Sequence, residues 1–346
     1  MGELNSPNLG TSRLLPLLLL AAFAGSPLSP GRKEPHATGG AKGVTSLTMM
    51  RMTMTRRSAL AVFAATLTRA ASRLPANKNV RWALGANLWN SFPRVAFTDI
   101  LDIMKDTGFI GIRLTQFPQI LTTYNITAAD MRRECEKRGC HVLTISFNGA
   151  TYDPAKHSEI LASAKTAMTF LQEFDAHHLV VFPPNRRFLT EPGFKAMCDC
   201  FNKIGETANQ MGFKAGLHNH MDEMVQTADE IDRCMAMTDP KLFHFSPDTA
   251  HLYLADCDVV KTIEKHQARL MLLDYKDAKK GGAKLTDNIY DLGDGDIDFP
   301  GCHRVLKSIN YKGWLCVDLD TARKGPRASY ERCADYAVTK LEGIYV

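Results

Sequence analysis

Residues 214–251 read KAGLHNHMDEMVQTADEIDRCMAMTDPKLFHFSPDTAH. The run 214–218 is short, apolar and ends on an imidazole. Residues 228–237 place apolar side chains at helical period, and 242–247 is a second short apolar run that stops just before Asp248. Strand, helix, strand joined by brief polar links is a βα unit, and consecutive units of this kind build a parallel sheet.

The same unit recurs on both sides. Strands are expected at 82–88, 111–115, 141–147, 178–182, 214–218, 242–247, 270–275 and 313–319. Helices are expected at 95–106, 128–138, 154–174, 192–211, 228–237, 259–266, 300–308 and 328–341. Asp130 and Asp153 suit positive helix N-termini, while Gly108, Gly139 and Gly212 stand where helices should stop. Eight units without a ninth argue for closure, so the expected fold is an α/β class (β/α)8 TIM barrel. It would form a single domain over residues 77–346, after a leader over 1–76. The polar stretch 276–298 is long for a connection inside a domain and is expected to be a lid. Its Gly293, Gly295, Asp294, Asp296 and Asp298 look superficially like a calcium loop, but the spacing and final Glu of an EF-hand are absent.

The formal charge of +5 is unevenly distributed. Residues 1–71 hold eight Lys/Arg and two Asp/Glu, leaving 34 basic against 35 acidic groups in the rest. A near-neutral body gives no electrostatic reason to expect nucleic acid as a partner. The leader carries two export-like segments: an apolar stretch over 14–23 ending in Ala22-Phe23-Ala24, and Arg56-Arg57 followed by Ser58-Ala59-Leu60, which has the form of a twin-arginine signal. Both are too short for a stable membrane span. Translation is expected to begin at one of Met49, Met50, Met52 or Met54, and the mature protein to be exported to the periplasm. The nine cysteines all lie between Cys135 and Cys333 and contain no CxxC pair. They suit a chain that folds in a reducing cytosol and is exported folded.

In a barrel, residues at the C-terminal strand ends face the loops where chemistry occurs. Strands five to eight end in Leu217-His218-Asn219-His220, Pro247-Asp248-Thr249-Ala250-His251, Leu273-Asp274-Tyr275-Lys276-Asp277 and Val317-Asp318-Leu319-Asp320. Each offers an imidazole or a carboxylate where an apolar group would pack better. Four adjacent strands each giving one donor could surround a divalent cation from one side and leave positions open for substrate oxygens. Singly, each residue could instead cap a helix or pair within a loop.

These boxes, with Gly216, Leu292-Gly293-Asp294-Gly295 and Gly313-Trp314-Leu315-Cys316, resemble the xylose isomerase-like TIM-barrel superfamily. That group contains sugar phosphate isomerase/epimerase-like proteins and inosose dehydratase. Members hold a metal through Glu, Asp, His and Glu at the ends of strands five to eight. The resemblance therefore implies metal ligands at His218, Asp248, Asp274 and Asp318, of which only Asp248 is unchanged. The expected ion is Mn2+, with Co2+, Mg2+ or Zn2+ as alternatives. His218, His220 and Asp318 are the expected proton-transfer residues, and Arg113, His251, Lys276, Asp320 and Trp89 the substrate-binding ones. The expected activity is a metal-dependent isomerase or epimerase of a small carbohydrate or ketose. The alternatives are a lyase or dehydratase of inosose or 3-keto-glycoside type, or a barrel that only binds carbohydrate. Oligomeric state is left open, a homo-oligomer included.

Overall fold

The computed structural model describes residues 73–75, 79–92, 95–115 and 117–346. Eight strands, β1 (Val80–Gly85), β2 (Gly111–Leu114), β3 (His141–Phe147), β4 (His178–Val181), β5 (Lys214–Leu217), β6 (Phe243–Phe245), β7 (Leu272–Tyr275) and β8 (Gly313–Val317), form one sheet. Its order is β6-β5-β4-β3-β2-β1-β8-β7, every pair being parallel. The two edges meet through isolated bridges, Phe245 to Leu270 and Asp248 to Asp274, rather than a continuous ladder. Met271 N donates to Phe245 O (2.9 Å) and Asp274 N to Pro247 O (2.8 Å), so the barrel is nearly closed.

Each strand is followed by a helix: α1 (Phe97–Thr107), α2 (Ala128–Arg138), α3 (His157–Gln172), α4 (Glu191–Gln210), α5 (Ala228–Met237), α6 (Val259–Lys265), α7 (Phe299–Ser308) and α8 (Pro326–Tyr336). Side-chain caps start many of them. Thr127 accepts from Asp130 N, Thr190 from Gly193 N, Thr227 from Glu230 N and Asp298 from Gly301 N. A large apolar core lies between sheet and helices. A smaller cluster of Ala83, Leu143, Val180, Leu272, Trp314 and Cys316 from the strands, with Met271 just before β7, plugs the barrel. Because side chains alternate along a strand, Leu272, Asp274 and Lys276 share one face, as do Trp314, Cys316, Asp318 and Asp320. The plug is thus continued upward by charged groups.

Two expectations are corrected. The first strand stops at Gly85 instead of Leu88, because Ala86 to Ser91 coil into a 3-10 turn that buries Ala86 and Leu88. The segment 276–298 is not a lid but a fixed connection. It contains a two-stranded ribbon, Asp277–Ala278 against Ile289–Tyr290, and the Asp277 carboxylate accepts from Gly293 N (2.9 Å), Gly295 N (2.9 Å) and Ile297 N (3.2 Å). A Cβ on Gly295 would fall 2.0 Å from Asp277 Oδ1, so the close approach needs glycine. The calcium-like acids are spent locally: Asp294 pairs with Arg332 and Asp298 caps α7.

The export segments expected over residues 1–76 lie outside the described residues. Of that range only 73–75 are described, and there Leu74 is buried with its N–H donated to Thr107 O (2.9 Å). No helix among the described residues is long and apolar enough to cross a membrane.

Candidate metal centre and active-site cavity

Three residues at the ends of β5 and β6 converge. Asp248 caps the short helix Thr249–Leu254, its Oδ1 accepting from Ala250 N (2.9 Å) and His251 N (3.1 Å). The cap turns His251 back over its own carboxylate and leaves Asp248 Oδ2 facing inward. His218 Nε2 and His251 Nε2 each lie 3.8 Å from that oxygen. Ligand atoms of the three residues all fall within 4.8 Å of one another, and all three side chains are buried.

Neighbours fix this arrangement. Asn219, which turns away from the cavity, donates from Nδ2 to Asp248 O (3.3 Å) and accepts from Asp248 N (3.0 Å). Thr249 Oγ1 donates to Lys276 O (2.8 Å) and accepts from Lys276 N (3.0 Å), tying β6 to β7. His218 Nδ1 lies 2.9 Å from Asp274 Oδ2, a close contact that is not aligned as a hydrogen bond. Phe182 packs on the His218 ring (4.2 Å between centroids), and the rings of His220 and His251 are in contact (3.8 Å).

Two permanent cations organise the remaining acids. Arg113 bridges Asp274 Oδ2 (2.6 Å) and Asp318 Oδ2 (2.7 Å). Lys276 Nζ contacts Asp248 Oδ2 (3.1 Å), Asp318 Oδ2 (2.8 Å) and Asp320 Oδ2 (3.2 Å). The close approach of Asp318 is permitted by Gly85, where a Cβ would lie 2.0 Å from Asp318 Oδ1. Four carboxylates against two cations leave two negative charges in excess.

The titration of these groups follows from burial and charge. Burial pushes Asp248 up to about 6, although Lys276 and His218 work against it. Burial also opposes ionisation of Asp318, but Arg113 and Lys276 hold it below the ordinary carboxylate range. His218, His251 and His220 are all lowered, by burial first and then by neighbouring Arg113, His220 and Lys276 respectively, so their imidazoles are neutral.

His251 Nε2 is buried without a hydrogen-bond partner, and Asp248 Oδ2 has its ion pair with Lys276 Nζ but no aligned hydrogen bond. Two imidazole nitrogens, one carboxylate oxygen and two surplus negative charges fit a divalent cation. An ion at Asp248 would take the oxygen that Lys276 shares and leave Lys276 with Asp318 and Asp320. Met221 N also donates to His251 Nδ1 at 3.4 Å, a long contact that metal ligation through Nε2 would have to displace.

The expected residues are therefore distributed differently from the pattern implied by the resemblance. His218 and Asp248 come together with His251, which stands in the cluster rather than at a substrate contact. Asp274 and Asp318 do not join them: Arg113 lies between their carboxylates, and Asp274 stands behind His218. Trp89 is away from the site. It is buried, stacked on Tyr330 (5.3 Å, 6°), and borders a separate depression with Val95 and Arg327.

A cavity of about 150 Å³ adjoins the cluster, lined by Asn87, Arg113, Thr115, Ser146, Asn148, Phe182, His218, His220, Lys276, Asp318 and Asp320. Five of these, Asn87, Thr115, Ser146, Asn148 and Phe182, escaped the sequence reading. Their only signal is position at or just beyond the ends of strands one to four.

The family model described as the xylose isomerase-like TIM barrel matches residues 101–336. The chain belongs to that family. Among curated relatives, the inosose dehydratase of Lactiplantibacillus plantarum is 24% identical over 274 residues, covering 71% of this chain and 90% of that protein. The inosose dehydratase of Salmonella agona is 31% identical over 166 residues, covering 41% of this chain and 55% of that protein. The chain spans about half the length of most of the curated relatives it matches. Among solved structures, the IolI protein with a bound zinc atom shares this xylose isomerase-like fold at a TM-score of 0.66 and 14% identity, over 77% of this chain and 99% of that one.

Proposed function

We propose that this chain is a metal-dependent lyase that eliminates an oxygen substituent from a ring polyol bearing one ketone, as in inosose dehydration. The observation that carries the reading is the buried His218, Asp248 and His251 cluster, whose His251 Nε2 lacks a hydrogen-bond partner, at the wall of a cavity sized for one ring. Relatives that are inosose dehydratases support elimination over the isomerisation or epimerisation expected from sequence. The donor set suits Mn2+, Co2+ or Zn2+ better than Mg2+, which favours oxygen ligands. When bound, the ion supplies polarisation of a substrate carbonyl, which acidifies the neighbouring C–H.

The chain's own groups then divide the work. His220 Nδ1 lies 2.7 Å from Met221 O and, facing a carbonyl, must donate to it. Its Nε2 therefore carries the lone pair, and burial keeps the ring neutral, which makes His220 the base that removes the proton. Lys276, held by Asp318 and Asp320, donates a hydrogen bond to the departing oxygen. The Thr115 and Ser146 hydroxyls, buried and unpartnered, take ring hydroxyls of the substrate.

Protein purified without chelators should carry about one divalent ion per chain, and Asp248→Ala should lose it. With an inosose as substrate, ultraviolet absorbance should report a conjugated carbonyl as water leaves. His220→Gln should lower kcat by about 10²- to 10⁴-fold while keeping the metal. An isomeric ketose as product would return the site to isomerisation. Protein without metal or turnover would leave only a carbohydrate-binding barrel.

A further inference from the structure

At the end of the barrel opposite the metal cluster, the strands begin on an array of basic side chains. Because side chains alternate along a strand, Arg81 lies below Ala83 of the plug and His178 below Val180, each on the same inward face. Lys214 is the register partner of His178, and His244, the partner of Gly216, shares the face of Lys214. Arg81 is the partner of Trp314 and lays its guanidinium on the indole, 4.4 Å from the ring centroid. A cavity of about 270 Å³ opens here, lined by Arg81, His141, His177 and His178 with the apolar faces of Phe174 and Trp314. One acid, Asp175, borders it and already meets His177 Nε2 at 3.3 Å.

The array lacks counter-charge. Arg113 and Lys276, at the other end of the barrel, each hold two or more carboxylates. Among the described residues, no acid pairs with Arg81, His141, His178, Lys214 or His244, and none of their side chains is hydrogen-bonded. Burial, and then Lys214, Arg81, His177 and His244, lower His178 to about 4; burial, Lys214 and Arg269 do the same to His244. Every charged neighbour of the two imidazoles is thus basic. Like charges gathered round a cavity repel one another, so an anion placed among them gains from each contact.

We propose that this cavity binds the phosphate group of a small phosphomonoester, at a site separate from the metal centre. Arg81 offers a planar fork of donors that suits phosphate oxygens, Lys214 adds a second cation, and His141 and His178 add ring N–H groups. A free phosphate ion takes the space of only a few waters, about 30 Å³ each. The cavity has room for more, and Trp314 and Phe174 give the carbon skeleton of an ester an apolar wall. Lys214 begins β5 and His218 follows its last residue, so the ester stays clear of the reacting ring. The site is independent of the lyase chemistry.

The full chain, loaded with metal, is titrated by calorimetry with glycerol 3-phosphate and with inorganic phosphate, at pH 7 and an ionic strength fixed with chloride. One ester should bind per chain, on the order of 10-fold more tightly than the free ion, through its buried carbons. Lys214→Met and Arg81→Gln should each weaken the ester by on the order of 10-fold, the loss of one charge-assisted hydrogen bond. Both side chains are exposed at the rim, so neither change empties the core. Asp248→Ala should bind the ester as wild type does. Without anion, Lys214→Met should raise Tm because one repelling charge is gone; the ester should raise the Tm of wild type and barely move that of the variant. Ester binding that disappears with Asp248→Ala would place the phosphate on the metal and overturn the site. Binding that Lys214→Met and Arg81→Gln leave intact, or none at millimolar ester, would overturn it as well. Inorganic phosphate binding as tightly as the ester would overturn the choice of an ester and confine the cavity to the free ion.

Discussion

Arg113 sets the charge balance of the site. Its guanidinium lies between Asp274 and Asp318 in the barrel interior, and all three side chains are at most 2% exposed. A buried pair gains little over apolar packing, but removing one partner strands the other. Arg113→Met should therefore cost about 3–5 kcal/mol, read as a lowered urea midpoint at pH 7. An undiminished midpoint would mean that the two aspartates find compensation elsewhere. Sequence placed Arg113, Asp248, Asp274, Lys276 and Asp318 at strand ends, the aspartates as expected metal ligands and the two cations as expected substrate contacts, because strand-end positions and period-two alternation are local properties. It could not tell ligand from counter-ion. Whether Asp274 meets a metal or an arginine depends on a residue 161 positions earlier in the chain. The pairing of His251 with Asp248 was within reach of sequence, since a cap at Asp248 forces the residue at N3 back toward it.

At the scale of elements, period and turn chemistry carried most of the fold. The ranges expected for β3, α2 and α5 coincide with those observed, because a capping Thr or a long alternating run marks each. β6 was harder to delimit. Pro247 ends it, and only Phe243–Phe245 pair in register with β5. α5 also shows how an element is locked in place. Glu230, in its first turn, accepts from Gln226 N and Thr227 N and is gripped by Arg186 through both carboxylate oxygens (2.7 and 3.0 Å). Burial alone would raise Glu230, but Arg186 and the two backbone N–H groups bring it down to about 2. A carboxylate lowered on folding contributes stability that is fully present above its unfolded pKa of about 4.3 and is lost as pH falls through the folded value. The urea midpoint should accordingly decline between about pH 4.3 and about pH 2. Glu230→Gln should flatten that part of the profile and leave a lower plateau at pH 6. A profile that the substitution leaves unchanged would show that the Arg186 contact contributes nothing to folding.

For the molecule as a whole, the cysteines constrain how the chain can reach its working compartment. All nine are buried and free, and burial pushes Cys135 and Cys302 up to about 12 and Cys200 up to about 11, which keeps them as unreactive thiols. A folded barrel thus shields its thiols, whereas an unfolded chain threaded into an oxidising space would expose all nine to mispairing. A route that carries folded proteins suits such a chain, and Arg56-Arg57 ahead of the apolar run 59–65 has the form of the signal for one. We propose export to the periplasm by that route. Arg56→Lys with Arg57→Lys should hold the protein in the cytoplasm with metal loading and fold intact. Exported wild-type protein, denatured without reductant, should still titrate nine thiols. Undisturbed export of the double variant would refute the twin-arginine route, and fewer than nine thiols would show that the barrel forms disulfides after leaving the cytosol.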